Sequence, residues 1–130
     1  MMKRVALIPL ILAAGILSAS AEEGRLLNGD AVKKTITGKT VYLRIRGIEL
    51  PIAYRRNGTM VGRLKAFAAS MAGNVAVTDS GRWWVANNQL CQRWNSWLSR
   101  KSYCFKLKQN GSVIYWTSND GRSGTARISS

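Results

Sequence analysis

The chain contains no histidine, and its 130 residues include only six acidic residues, two cysteines and two prolines. Without histidine there is no His-based catalytic triad, no histidine metal ligand and no ordinary general base near neutral pH. A glycosidase-type carboxylate pair would form only if two acids separated in sequence met in the fold. These absences predict a protein that is not an enzyme and that has no catalytic residue, cofactor or metal ion. The six acids are Glu22, Glu23, Asp30, Glu49, Asp79 and Asp120.

The sequence has one long apolar run, and this run lies at its beginning. Lys3 and Arg4 precede an uncharged, mostly apolar stretch over residues 5–17. The small residues Ala-Ser-Ala follow at 19–21. This order of a positive start, an apolar run and a small-x-small site is typical of a cleaved secretory signal peptide. We therefore expect a signal peptide over residues 1–21.

The alternative for this segment is a transmembrane anchor. An anchor needs about 20 apolar residues to span the hydrocarbon core, whereas this run is shorter and contains Pro9 and Gly15. We expect cleavage after Ala21, and a periplasmic or secreted bacterial protein that does not span a membrane after cleavage.

The predicted mature segment, residues 22–130, is a single domain with a large excess of positive charge. Removing Lys3 and Arg4 leaves 18 basic residues against six acidic ones, a net charge of +12. A charge of this size bears on association rather than on fold. It predicts an anionic envelope partner, such as lipid headgroups, lipopolysaccharide or an acidic polysaccharide, or else an exported protein. Export makes nucleic acid an unlikely partner. The alternative to a dedicated anion-binding site is a solvated basic surface that has no specific partner.

The two cysteines are Cys91 and Cys104. In an exported protein an even pair of this kind predicts a disulfide. The bridge would close a short loop and would stabilise the fold by about 3 kcal/mol in the chain-entropy description.

Short stretches rich in Val, Ile, Tyr, Trp and Thr, separated by Gly and Asn turns, fill most of the chain and predict strands. A short helix is predicted between Gly24 and Gly38, capped by Asn28 or Asp30, and a short helical crossover over residues 64–76. So many strands joined by tight turns predict a mainly β fold, an antiparallel meander that closes into a small barrel, with a sandwich as the alternative. We expect eight strands, near residues 40–46, 48–56, 59–64, 81–86, 89–95, 102–109, 112–118 and 124–129.

Three turns predict hairpins, because Asn and Gly tolerate the positive φ that two-residue turns require. They are Asn57-Gly58, Asn87-Asn88 and Asn110-Gly111. The second turn should place Trp84 opposite Cys91, and the third should place Leu107 opposite Ile114. A wider hairpin would then bring Cys91 opposite Cys104, so the turns and the disulfide agree on one register.

The most distinctive stretch is residues 81–104, which contains four of the five tryptophans. Strand side chains alternate between faces, so Trp83 and Trp84 cannot both point inward. One interpretation is that most tryptophans fill the barrel. The other is an exposed basic, aromatic surface that binds an anionic or glycan ligand. The candidate residues of that surface are Trp83, Trp94, Trp97, Arg82, Arg93, Arg100 and Lys101.

Five motifs carry a resemblance over most of the predicted mature chain. They are Gly-Lys-Thr-Val (38–41), Asn-Gly-Thr-Met-x-Gly (57–62), Gly-Arg-Trp-Trp-Val (81–85), Leu-Cys-Gln-Arg-Trp (90–94) and Asp-Gly-Arg-Ser-Gly-Thr-Ala (120–126). In these the chain resembles small exported alphaproteobacterial proteins of uncharacterised function, which implies an envelope or secreted domain.

More loosely, the Gly-x-Trp strand, the cysteine pair and the late tryptophan resemble lipocalin-like small barrels, including periplasmic inhibitors of secreted metalloproteases. This second resemblance implies two alternative functions. One is inhibition of an exported hydrolase through the N-terminal segment, residues 22–27, and the other is carriage of a small apolar ligand.

Overall fold

The structure, a computed structural model, describes residues 24–129. The predicted signal peptide and its cleavage site lie outside these residues. The strands are β1 (Arg25–Leu26), β2 (Thr40–Ile45), β3 (Ile48–Tyr54), β4 (Thr59–Arg63), β5 (Thr78–Ala86), β6 (Gln89–Trp94), β7 (Ser102–Asn110), β8 (Val113–Ser118) and β9 (Ser123–Ile128). The helices are α1 (Gly29–Ile36) and α2 (Ala66–Met71), and a short 3₁₀ segment covers Trp97–Arg100.

Strands β2 to β9 form a closed, eight-stranded antiparallel barrel. Each strand pairs with the next along the chain, and β9 pairs back with β2, which removes the open edges. The two-residue strand β1 pairs with Lys108 and Gln109 of β7, next to the stretch of β7 that pairs with β6. The barrel, its eight strands, the N-terminal helix and the helical crossover predicted from sequence are therefore confirmed.

Helix α1 closes one end of the barrel, which we call the α1 end. The Asn28 side chain accepts a hydrogen bond from the Ala31 N–H at 2.9 Å, so Asn28 rather than Asp30 is the N-cap. Val32 and Ile36, four residues apart and so on one helical face, are completely buried. The helix thus seals this end with two aliphatic side chains.

The segment between β4 and β5 covers the opposite end, which we call the α2 end. The Leu64 N–H donates to the Val77 carbonyl at 2.7 Å and closes this segment at its base. The indole N–H of Trp97 donates to the Ala76 carbonyl at 2.9 Å. The 3₁₀ segment and the α2 loop are therefore joined at the mouth of the barrel.

Side chains fill the interior of the barrel, as is usual for eight strands. The hydroxyl of Tyr54 donates to the Gln92 side-chain oxygen at 2.7 Å within this core. Burial raises the pKa of Tyr54, so the hydroxyl stays protonated and keeps its donor. The apolar residues of the core include Val41, Leu50, Ile52, Met60, Trp83, Leu90, Trp94, Leu107, Ile114 and Ala126.

The predicted disulfide is present, and its register is as expected. Cys91 and Cys104 are bonded and lie directly opposite each other on β6 and β7, with their Cα atoms 4.0 Å apart. Trp84 on β5 lies opposite Cys91, as the Asn87-Asn88 turn predicted. Both Asn87 and Asn88 have positive φ, so they are the two central residues of that turn.

The register predicted for the β7–β8 hairpin is wrong. Leu107 pairs with Trp116 rather than with Ile114, because Asn110 is the last paired residue of β7 and faces Val113. The two turn residues are therefore 111 and 112. Gly111 is the first of these two residues and has a φ of +61°. Turns of this kind need a positive φ at their first central position. Moving the turn by one residue shifts every cross-strand partner by two.

Candidate functional site

Strands β5 and β6 place alternate side chains inside and outside the barrel. Trp83 is buried between the exposed Arg82 and Trp84, and Trp94 is buried next to the exposed Arg93. Consecutive residues of a strand point to opposite faces. A tryptophan and the arginine directly before it therefore cannot belong to one surface on these strands.

The interpretation that places Trp83, Trp94 and Trp97 on an exposed surface is wrong, since they are only 7%, 3% and 7% exposed. The other interpretation, in which most tryptophans fill the barrel, is confirmed. The Trp83 indole N–H donates to the Arg55 carbonyl at 2.8 Å, and its ring meets the Tyr54 ring edge-on at 5.8 Å. The rings of Trp94 and Trp97 are in contact at a tilt of 54°, with centroids 4.7 Å apart. These indoles are the largest apolar groups available to the interior, and they fill it.

The exposed tryptophan of this part of the barrel is Trp84, at 40%. Two positions earlier on the same outer face lies Arg82, which is directly opposite Arg93 on β6. Lys106 is exposed on β7, two residues beyond Cys104, and so also lies on the outer face. We call Arg82, Trp84, Arg93 and Lys106 the Trp84 face.

Sequence reasoning missed Trp84, although a signal was present. An arginine in a barrel strand points outward, so Arg82 alone assigns Trp84 to the outer face and Trp83 to the interior. The predicted candidates Arg82 and Arg93 are brought together by the structure, while Arg100 and Lys101 lie apart from them at the α2 end.

The Trp84 face has no acidic partner among residues 24–129. Within that range no carboxylate lies within 4.0 Å of a charged nitrogen of Arg82 or Arg93. Like charges placed directly opposite on neighbouring strands destabilise a sheet, so a bound anion would relieve the repulsion between the two arginines. The described carboxylates lie elsewhere: Asp30 on α1, Glu49 on β3, Asp79 in the barrel interior and Asp120 in the β8–β9 turn.

Asp79 anchors the segment that follows β6. Its carboxylate accepts hydrogen bonds from the backbone N–H groups of Ser96 at 2.9 Å and Trp97 at 2.8 Å. Burial would raise the pKa of Asp79, but these N–H groups outweigh burial and hold the pKa below its ordinary value. The carboxylate is therefore charged at neutral pH and fixes the start of the 3₁₀ segment.

Residues 98–100 form a left-handed turn. Leu98, Ser99 and Arg100 have φ values of 55°, 56° and 58°. Each non-glycine residue in this region costs about 1–2 kcal/mol relative to a right-handed conformation. The bonds from Asp79 and the burial of Trp97 fix the chain immediately before this turn, and the turn leaves Leu98 half exposed at 50%.

Helix α2 also exposes large apolar side chains at this end. Phe67 and Met71 are 56% and 76% exposed, whereas Ala68 and Ala69 are buried. The apolar pattern that predicts the helix therefore does not identify its buried side. Sequence reasoning placed none of these side chains at a surface, and the spacing of Phe67 and Met71 is equally compatible with an inward face.

A shallow cavity of about 190 Å³ lies on the outside of the barrel near β2, β8 and β9. Its charges satisfy one another: Arg127 stacks on Tyr42 at 4.1 Å from the ring centre, and Glu49 pairs with Arg127 at 3.5 Å and with Arg44 at 3.6 Å. The cavity is smaller than the roughly 300–1,000 Å³ of typical small-molecule sites. We therefore do not treat it as the candidate site.

The N-terminal segment, residues 22–27, is the predicted inhibitory arm. The structure describes it from residue 24 onward, and this part is held against the barrel. Arg25 and Leu26 pair with β7. Leu27 is buried, and its N–H donates to the Leu107 carbonyl at 2.9 Å. Insertion of these residues into a protease cleft would first require these contacts to break.

Comparison with protein-family models, curated proteins and solved structures returned no match to this chain. Across residues 24–129, no helix is long and apolar enough to cross a membrane. The Cys91–Cys104 bridge fits a protein exported to an oxidising compartment.

Proposed function

We propose that this protein is a non-enzymatic bacterial envelope protein that binds an acidic polysaccharide through the Trp84 face. In this proposal residues 1–21 are a signal peptide cleaved after Ala21, and the protein works in the periplasm or outside the cell. The observation that supports it is the cross-strand pair of Arg82 and Arg93 beside the exposed ring of Trp84.

The chemistry of the Trp84 face suits a sugar polymer that carries acidic groups. A guanidinium presents a planar fork of N–H donors that matches a carboxylate, sulfate or phosphate with two hydrogen bonds. An indole ring offers a flat apolar surface on which the face of a sugar ring packs. Arg82 and Arg93 lie on adjacent strands, so they can bind one acidic group together while Trp84 packs on the neighbouring sugar.

The rigid placement of these side chains also supports binding. The face lies on three hydrogen-bonded strands, and the disulfide between Cys91 and Cys104 links two of them. Sites on regular elements are better preorganised than sites on loops, so binding loses less conformational freedom.

The test is a binding titration against an acidic polysaccharide and a neutral one at several salt concentrations. The double variant Arg82→Gln/Arg93→Gln should weaken acidic binding by roughly tenfold to a hundredfold, since charge-assisted hydrogen bonds contribute about 1.5–3 kcal/mol. Trp84→Ala should weaken it as well. Affinity should fall as salt rises, because the interaction is between exposed charges.

The matched control is Arg55→Gln/Arg56→Gln, which removes the same charge from exposed positions in the β3–β4 turn. This variant should change the affinity by only a few-fold. If both double variants weaken binding equally, net charge rather than the Trp84 face is responsible, and the proposal fails. Affinity that is unchanged by salt would also contradict it.

The two alternatives have less support. Inhibition of an exported hydrolase would use residues 22–27, and residues 25–27 are paired with or buried against β7. Carriage of a small apolar ligand would use an interior in which Trp83, Trp94 and Met60 are already packed.

A further inference from the structure

The α2 end of the barrel exposes a group of large apolar side chains on two neighbouring loops. Phe67 and Met71 lie four residues apart on the outward side of α2. Val77 is exposed just before β5, and Leu98 is exposed in the left-handed turn. We call Phe67, Met71, Val77 and Leu98 the apolar tip.

Hydrogen bonds hold the two loops of the tip together. The Val75 N–H donates to the Ala69 carbonyl at 3.3 Å, which folds the end of α2 back on the chain. Trp97, the residue before Leu98, donates from its indole to the Ala76 carbonyl at 2.9 Å. The exposed apolar side chains therefore project from one braced structure rather than from separate flexible loops.

Basic residues flank the tip on both loops. Arg63 and Lys65 lie just before α2, and Arg100 and Lys101 lie just after Leu98; all four are exposed. On this half of the α2 end, the described carboxylate is Asp79, which is buried and bonded to backbone N–H groups.

The other two carboxylates of the α2 end lie on elements that border these loops, since β3 pairs with β4 and the β8–β9 turn follows β8, which pairs with β7. Each has an ion-pair partner: Glu49 pairs with Arg44 and Arg127, and Asp120 pairs with Arg122. Among the described residues around the apolar tip, the charged side chains that lack an ion-pair partner are therefore the cations.

We propose that the apolar tip docks the protein end-on to an anionic lipid bilayer. Exposed apolar side chains ringed by Lys and Arg suit shallow insertion, with the apolar groups at the acyl boundary and the cations among the lipid phosphates. The charge complementarity favours lipid over an apolar protein groove, which would leave the four cations unpaired. The Trp84 face lies on the side of the barrel, so this docking site is separate from the proposed polysaccharide site.

The test is sedimentation with vesicles of phosphatidylglycerol mixed with phosphatidylcholine, compared with vesicles of phosphatidylcholine alone. The wild-type protein should partition onto the mixed vesicles and much less onto the neutral ones. The variant Phe67→Ser/Met71→Ser should reduce partitioning by roughly 30-fold, from the apolar area that no longer enters the bilayer. The matched control Leu26→Ser/Val113→Ser removes two exposed apolar side chains from the α1 end and should change partitioning only a few-fold.

The basic residues are tested separately. Arg100→Gln/Lys101→Gln should reduce partitioning onto the mixed vesicles by roughly 25-fold, about fivefold for each cation near an anionic surface. The same variant should bind acidic polysaccharide within a few-fold of the wild type, because neither residue lies on the Trp84 face. The two proposals can thus fail independently.

Three outcomes would overturn the docking proposal. The first is that wild-type protein does not sediment with the mixed vesicles. The second is that the tip variant and the α1-end control partition equally, which would leave charge as the only cause. The third is that the wild type is a dimer in gel filtration and the tip variant a monomer, which would assign the tip to contact between two copies of the chain.

Discussion

Asp79→Asn tests whether one carboxylate holds the strained segment at the α2 end. The wild-type side chain is 9% exposed and accepts the N–H groups of Ser96 and Trp97 at 2.9 and 2.8 Å. Asparagine has nearly the same shape but carries no charge, so it keeps an acceptor and loses the charge-assisted part of both bonds.

The expected loss follows from these two hydrogen bonds. Hydrogen bonds to a charged group contribute about 1.5–3 kcal/mol, and neutral ones about 1 kcal/mol. Asp79→Asn should therefore lower the free energy of unfolding by about 1–4 kcal/mol, and Asp79→Ala, which leaves both N–H groups without this acceptor, by about 2–6 kcal/mol. The left-handed residues 98–100 should be the first to rearrange, because their conformation is costly without the anchor.

The pH dependence gives a sharper signature. The folded-state pKa of Asp79 lies below its ordinary value of 3.8, so the charged form stabilises the fold at pH values above this. That contribution is lost as the pH falls through the folded-state pKa. The difference in unfolding free energy between the wild type and Asp79→Asn should thus be largest near neutral pH and should shrink in strong acid.

The assay is urea unfolding followed by tryptophan fluorescence at a series of pH values. The control is Asp120→Asn: hydrogen bonds from Ser118 and Arg122 also lower the pKa of Asp120, but its side chain is exposed in the β8–β9 turn. The control should change stability less than Asp79→Asn does. Equal stability of wild type and Asp79→Asn at neutral pH, or a difference that stays constant with pH, would refute the assigned role of Asp79.

Two further predictions concern packing and the disulfide. In Gly62→Ala the added Cβ would lie 2.7 and 2.8 Å from ring atoms of Trp97 and Trp94, so we expect a loss of about 1–3 kcal/mol in urea unfolding; an unchanged midpoint would mean that this ring pair is loosely packed. Reducing Cys91–Cys104, which spans 13 positions in sequence, should cost about 3 kcal/mol while leaving the far-ultraviolet circular dichroism of the barrel intact, and loss of that signal would show that the bridge is required for folding.

The strands and the approximate positions of the turns could be predicted because their signals are local, although of the three predicted two-residue turns only Asn87-Asn88 has the predicted two central residues. Strand positions follow from runs of β-branched and aromatic residues, and turn positions follow from Asn and Gly, which adopt positive φ at low cost. The Asn87-Asn88 turn occurs where expected and aligns Trp84 with Cys91. At Asn110-Gly111 the same signal was ambiguous, because either residue of the pair can begin the turn.

The disulfide supported the correct register because it is a long-range constraint that can be read from sequence. Cys91 and Cys104 can bond only if β6 and β7 align them, whereas the preceding Asn87-Asn88 turn sets the pairing of β5 with β6. No such constraint links β7 to β8, and there the predicted pairing was displaced by two residues.

The sequence by itself determined the composition and the charge. It also determined the strand pattern and the cysteine pairing. Closure of the barrel made one of the two alternating faces the interior, and so it buried Trp83 and Trp94 and left Trp84 outside. Alternation by itself does not identify the inner face of a strand; Arg82 indicates the outer face of β5, and the depth of burial depends on how the sheet curves over all eight strands.

Which side of helix α2 is buried also depends on the tertiary structure. The rings of Trp94 and Trp97, which contact each other, already occupy the interior of the barrel near the α2 end. Small alanines pack inward on that side of the helix, and Phe67 and Met71 are left facing outward. The length and spacing of a helix are local properties, but the space available beneath it depends on residues far away in the sequence, and for this reason the apolar tip could be identified only in the tertiary structure.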